Sequence, residues 1–190
     1  MKNIFFLFLA AILMSCNAQQ TVVKSSITKE TQQIFPASWE GNYTGNLEIY
    51  GVSKVKMQLK MQLKIAKKTD SLYNWTIIYE MKDKPVDVRA YELKVIDTKK
   101  GHYQIDEKNS IVIDAFLHNN IFTSFFKVMN SYIVAMYTQL DTETIVFEII
   151  SATNKKEIIT GNTTVDGEKI PEVITNFVNG RQKAILKRVQ

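Results

Sequence analysis

The chain has 190 residues and a single cysteine, and its 24 Lys+Arg against 19 Asp+Glu give a formal net charge of +5. One cysteine excludes an internal disulfide framework, and no Lys/Arg run reaches the density of a nucleic-acid-binding tail, so nucleic acid is set aside as a partner. The length suffices for one domain stabilised by an ordinary hydrophobic core.

Residues 1–18, MKNIFFLFLAAILMSCNA, read as a signal peptide. A basic start at Lys2 precedes an apolar run from Ile4 to Met14, which is shorter than the ~20 residues a bilayer-spanning helix needs. Its end has two readings. Leu13-Met14-Ser15-Cys16 resembles a bacterial lipobox, in which the Cys16 thiol is acylated and anchors the protein to a membrane. Cys16-Asn17-Ala18 also reads as a small-x-Ala cleavage site, which discards the cysteine. The first predicts a periplasmic or outer-membrane-anchored protein of the cell envelope, the second a secreted one. Residues 19–38, rich in Gln, Thr, Ser and Lys, read as a flexible linker, and 39–190 as the folded domain.

Within the domain the dominant period is two. In KVKMQLKMQLKIAKK, residues 54–68, Val55, Met57, Leu59, Met61, Leu63 and Ile65 alternate with Lys56, Gln58, Lys60, Gln62 and Lys64, the signature of a long half-buried strand. Trp39, Gly41, Tyr43, Gly45, Leu47 and Ile49 share one parity before it, and Tyr73, Trp75, Ile77, Tyr79 and Met81 share one after it. Further β-rich runs cover 86–96, 101–106, 110–117, 121–129, 131–140, 144–152, 156–165 and 182–189, separated by turn signals such as Lys82-Asp83-Lys84-Pro85 and His118-Asn119-Asn120. Residues 170–179, with Pro171 in the first turn and Gly180 as a stop, read as one short helix before the last strand. The fold class predicted is therefore all-β: an antiparallel up-and-down barrel, which removes exposed strand edges, with a two-sheet sandwich as the alternative.

SWEGNYTGNL, followed by this meander, resembles the opening strand of the lipocalin and fatty-acid-binding (calycin) superfamily, with Trp39-x-Gly41 in place of Gly-x-Trp. The resemblance implies a barrel that binds a small ligand, and a basic residue of the last strand, Arg188 or Lys187, packed on Trp39 to close the barrel bottom.

Catalytic patterns are sparse. His102 and His118 have no repeated metal-ligand spacing, the carboxylates Asp106, Glu107 and Asp114 flank a turn, and Met57 and Met61 read as core fillers before copper ligands. No metal, cofactor or enzymatic activity is predicted. The remaining candidate is the interior, where Tyr43, Trp75, Tyr79 and Tyr91 supply aromatic walls with hydroxyl handles. DVRAYELKV, residues 87–95, puts Asp87, Arg89, Tyr91, Leu93 and Val95 on one face. If that face is inward, Arg89 and Tyr91 suit a carboxylate-bearing, lipid-like ligand, and Arg-x-Tyr resembles the carboxylate-binding pair of fatty-acid-binding proteins. Two other readings stay open: an inward structural ion pair of Asp87 and Arg89, and a bulge that turns both outward. The predicted function is non-enzymatic binding of a small apolar or amphipathic ligand in the lumen. A filled barrel acting as a structural or interaction lipoprotein is the alternative.

Overall fold

The computed structural model describes residues 34–190. Ten antiparallel strands close into a barrel, and two very short ones form a separate hairpin. The barrel strands are β1 (Gly41–Tyr50), β2 (Val55–Thr69), β3 (Leu72–Glu80), β4 (Asp87–Asp97), β5 (His102–Asp106), β6 (Val112–His118), β7 (Ile121–Val128), β8 (Ser131–Asp141), β9 (Thr144–Thr160) and β12 (Val173–Val189). The hairpin is β10 (Thr163–Val165) with β11 (Glu168–Ile170), inserted between β9 and β12. Each barrel strand pairs with its neighbour in sequence, β12 following β9, and β12 closes onto β1 through pairs from Asn42↔Val189 to Ile49↔Gln182.

The alternation in β2 holds for its second half, where Met61, Leu63 and Ile65 are buried while Lys60, Lys64 and Lys68 lie on the outer face; Val55 and Met57, near the open end, are exposed, so Met57 is not the core filler expected. Because residues opposite each other in an antiparallel pair share a face, burial propagates around the barrel: Leu63 stands opposite Tyr43 on one side and Ile77 on the other. Tyr73, Trp75, Leu93, Tyr103, Phe122, Phe147 and Leu186 complete one continuous interior.

Strand direction alternates, so the connections fall into two groups. The turns at 70–71, 98–101, 119–120 and 142–143 lie at one end with the N-terminal segment, and those at 51–54, 81–86, 107–111 and 129–130 lie at the other with the β9–β12 connection. The first end is closed. Phe35 is buried and meets Trp39 and Tyr103 edge to face at 4.8 and 4.9 Å and Phe122 at 5.0 Å, so a side chain that the sequence reading left in the linker plugs the barrel. A single 3-10 turn, Ala37–Trp39, carries the chain from that plug into β1.

Arg188 fastens the same end. It stacks over the Tyr43 ring at 4.8 Å, and its guanidinium donates to the Tyr43 hydroxyl (2.6 Å) and to the carbonyls of Glu40 (2.5 Å) and Thr142 (2.9 Å). The arginine–aromatic contact expected on Trp39 thus falls on Tyr43, whose hydroxyl in turn donates to the Trp39 carbonyl. Lys187 is engaged elsewhere, donating to Thr144 Oγ1. Gly41 is needed here: its φ is +147° and a Cβ would run into the Arg188 guanidinium.

The helix expected at 170–179 is not formed. Val173, Ile174, Thr175, Phe177 and Val178 are β-branched or aromatic, and they continue β12 upward paired with β9, from Val173↔Thr160 to Val178↔Ala152 with one register shift between Asn176 and Phe177. Cross-strand pairing outweighs the Pro171 and Gly180 boundary signals. For the same reason the run expected at 156–165 divides, its first part extending β9 and its last forming β10.

Candidate functional site

The register of β3 with β4 decides the orientation of the charged pair. Trp75, Ile77 and Tyr79 stand opposite Tyr91, Arg89 and Asp87, and Tyr73 opposite Leu93. Ile77 and Leu93 are buried in the interior, so Asp87, Arg89 and Tyr91 face the lumen. No register shift interrupts the β3–β4 ladder, and the bulge that would have turned them outward is absent from it.

Their burial cost is avoided by position. Asp87 and Arg89 sit at the open end with side chains 51% and 46% exposed, and Arg89 Nε and Nη2 both donate to Asp87 Oδ2, at 3.1 and 3.0 Å. The guanidinium also lies over the Tyr79 ring at 4.9 Å. An ion pair wetted by the mouth satisfies both charges without the penalty of a dry interior. The pair therefore faces inward and is joined as an ion pair, at the open end of the lumen.

Two cavities meet at Arg89. The outer, of about 340 Å³, is walled by Leu47, Ile49, Leu59, Tyr79 and Ile149, with Asp87, Arg89, Lys84 and Gln182 as its polar lining. The inner, of about 110 Å³, lies among Trp75, Tyr91, Phe122, Ser124, Tyr137 and Phe147, and it shares Tyr79, Arg89 and Ile149 with the outer one. Below it the Phe35 cluster forms the floor. Lys84 has no ion pair among the described residues, so the outer cavity holds two cations against Asp87, while Glu107 adds a second carboxylate to the lining of the inner one.

Burial raises the hydroxyl pKa values of this lining. Tyr79 is pushed up to about 12 by burial, against the pull of Arg89. Tyr91 is raised by burial and then by Glu107, and Tyr137 is also raised by burial. At neutral pH all three remain protonated and able to donate to an acceptor on a ligand. The sign for stability follows: a group whose pKa is higher folded than unfolded costs nothing below its unfolded value near 10 and destabilises the fold above it. Denaturant midpoints measured at pH 9 and pH 11 are expected to fall across that interval. Tyr79→Phe is expected to fall less, and an equal fall in the variant would show that Tyr79 is not the group responsible.

Of the six residues expected to bind ligand, Asp87, Arg89, Tyr91, Trp75 and Tyr79 line these two cavities. Tyr43 does not: it is fully buried at the closed end, with its hydroxyl held between Arg188 and the Trp39 carbonyl. It shares the inward parity but sits at the wrong height. Cys16, the lipidation candidate, lies outside the described residues, as do the signal segment and most of the linker. Lys84 and Tyr137 were missed. Lys84 lies in a stretch that read only as a turn, whereas Tyr137 sits on the inward parity of β8 and was legible there. His102 is engaged at 2.6 Å with Asp114 and stacks on Phe116, away from either cavity.

No protein-family model matches the sequence, and no curated protein matches it either. Among solved structures, the S-type phycobiliprotein lyase CPES of Guillardia theta is similar in fold, with a TM-score of 0.56 at 6% sequence identity, over 81% of this chain and 90% of that one. The fold is a calycin-like barrel. This similarity corrects the expectation of a domain without enzymatic activity: a barrel of this architecture belongs to a protein named as a lyase, and its sequence is almost unrelated. The scarcity of familiar motifs is thus no ground for excluding catalysis, because a barrel lumen can place reacting groups from separate strands that no linear pattern reveals.

Proposed function

We propose that the domain binds a small amphipathic ligand through the open end, its apolar part between the walls of the outer cavity and its acidic head at Arg89. The observation that carries this reading is the conjunction at one point: apolar walls around about 340 Å³, the Arg89 guanidinium at the junction of the two cavities, and protonated tyrosines 79 and 91 beside it. A cavity of that size suits a small molecule. The rim supports the same chemistry. Val52, Val86, Ile111 and Met129 stand exposed on successive open-end connections, whereas the closed-end turns present Asp70, Ser71, Lys99, Asn119 and Glu143. The same open-end connections also expose Lys54, Lys82, Asp83, Lys84 and Lys108, so the entrance is mixed apolar and charged, which suits an amphipathic visitor.

The same proposal places the domain in the cell envelope, carried there by the signal segment that precedes Cys16 and tethered through acylated Cys16. Loss of the protein from the membrane fraction on Cys16→Ala is the expected result, and unchanged membrane retention would remove the anchor from the proposal.

The test of binding is native mass spectrometry of the protein purified from its natural host, followed by titration with a fluorescent fatty-acid probe. A co-purifying mass that is displaced by the probe is expected. If no mass is carried and the probe shows no saturable binding, the proposal fails.

A further inference from the structure

β9 and β12 outrun their other neighbours. The β8 ladder stops at Ser131↔Thr153 and the β1 ladder at Ile49↔Gln182, so above these pairs the two strands form a ribbon of their own, tipped by the β10–β11 hairpin. Register shifts between Asn176 and Phe177 and between Val178 and Gly180 set the ribbon off from the barrel wall.

A lone two-stranded ribbon is marginal in water, and this one is also apolar. Val173 and Ile174 are each 50% exposed and Val178 is 61% exposed, while Ile158 and Ile159 stand exposed across from them. The two edges differ. The β9 edge carries Lys155 and Glu157, charges of the kind that discourage strand pairing. The β12 edge, VITNFVNG over residues 173–180, carries none. Beside the ribbon's base lies a groove of about 290 Å³ walled by Phe125, Tyr132, Val134 and Ile150, and the amide oxygen of Asn176, which also lines it, is buried without a donor among the described residues.

We infer that the ribbon is completed by a second copy of this chain, the two β12 edges pairing antiparallel about a two-fold axis through residues 173–180. Two features select a copy of the same chain. In an isologous antiparallel pair each residue meets a residue of the same segment, so a charged edge opposes like charges while an uncharged one does not. The pairing also turns two marginal two-stranded ribbons into a single four-stranded sheet, in which the backbone groups of both β12 edges are paired and their apolar side chains stand beside one another across the two-fold axis. The contact is small, a few residues from each chain, so association is in the micromolar range and the dimer dissociates on dilution.

Sedimentation equilibrium on the protein with Cys16→Ala, which removes acylation as a source of association, tests this. The expected mass rises from one copy to two over the micromolar range, and Ile174→Lys with Val178→Lys returns it to one copy, with the barrel's circular dichroism and fatty-acid-probe binding unchanged. A mass of one copy at every concentration, a mass that grows beyond two, or a dimer indifferent to the two lysines would each overturn the inference. So would a double variant that fails to fold, since an exposed edge tolerates lysine.

Discussion

Arg89→Ala is expected to weaken binding of a carboxylate-bearing fatty-acid probe by roughly tenfold to a hundredfold, the about 1.5–3 kcal/mol that a hydrogen bond to a charged group contributes. The position explains why the effect is neither smaller nor larger. Arg89 is half exposed, so water and salt weaken its attraction for an anion, but it stands on the ring of Tyr79 and at the junction of the two cavities, where a bound head excludes much of that water. Asp87 gives the reciprocal. It occupies Arg89 Nε and Nη2 in the free protein, so a ligand carboxylate must share or displace it. Asp87→Asn is therefore expected to tighten probe binding, and Arg89→Lys, which keeps the charge but loses the planar fork, to recover only part of the affinity. Isothermal titration of the three variants measures all of this. Equal affinity in wild type and Arg89→Ala would remove Arg89 from the site.

The period-two pattern made the barrel readable, because burial of one strand face is a local property that the sequence writes directly. KMQLKMQLKI and YNWTIIY place their apolar residues where the interior is, and the ladder carries that assignment from strand to strand. The orientation of Asp87 and Arg89 was not readable in the same way. Val86, Val88 and Ala90 offered an equally apolar opposite face, and the decision belongs to the register with β3, a long-range fact. Height along the barrel was also hidden. Tyr43 and Tyr79 share the inward parity, yet one is locked by Arg188 at the closed end and the other stands at the mouth. Parity gives the face of a strand, and only the closure of β12 on β1 gives the level. The helix expected at 170–179 shows a third limit: Pro171 and Gly180 are boundary signals for a helix or for a strand, and the β-branched residues between them find partners in β9 that local propensity does not know about.

Phe35→Ala is expected to cost about 3–5 kcal/mol of stability, the usual range for truncating a buried phenylalanine, and to lower the melting temperature by about 10 °C for a domain of this size. The residue precedes the first barrel strand, so its loss breaks no ladder hydrogen bond. The cost comes from packing: its ring is 5% exposed and touches Trp39, Tyr103 and Phe122 together. Removing it leaves a void between the floor of the inner cavity and the closed end. That void is too deep for the strands to collapse around, because Arg188 and Tyr43 hold the closed end at its own spacing. A second consequence distinguishes this from simple destabilisation. Phe122 lines the inner cavity as well as contacting Phe35, so truncation lengthens the lumen, and the variant is expected to accept a probe with a longer apolar chain than the wild type holds. Thermal melts and chain-length titrations of the one variant read both effects, and a melting temperature within 2–3 °C of the wild type, below about 1 kcal/mol, would show that the plug contributes little.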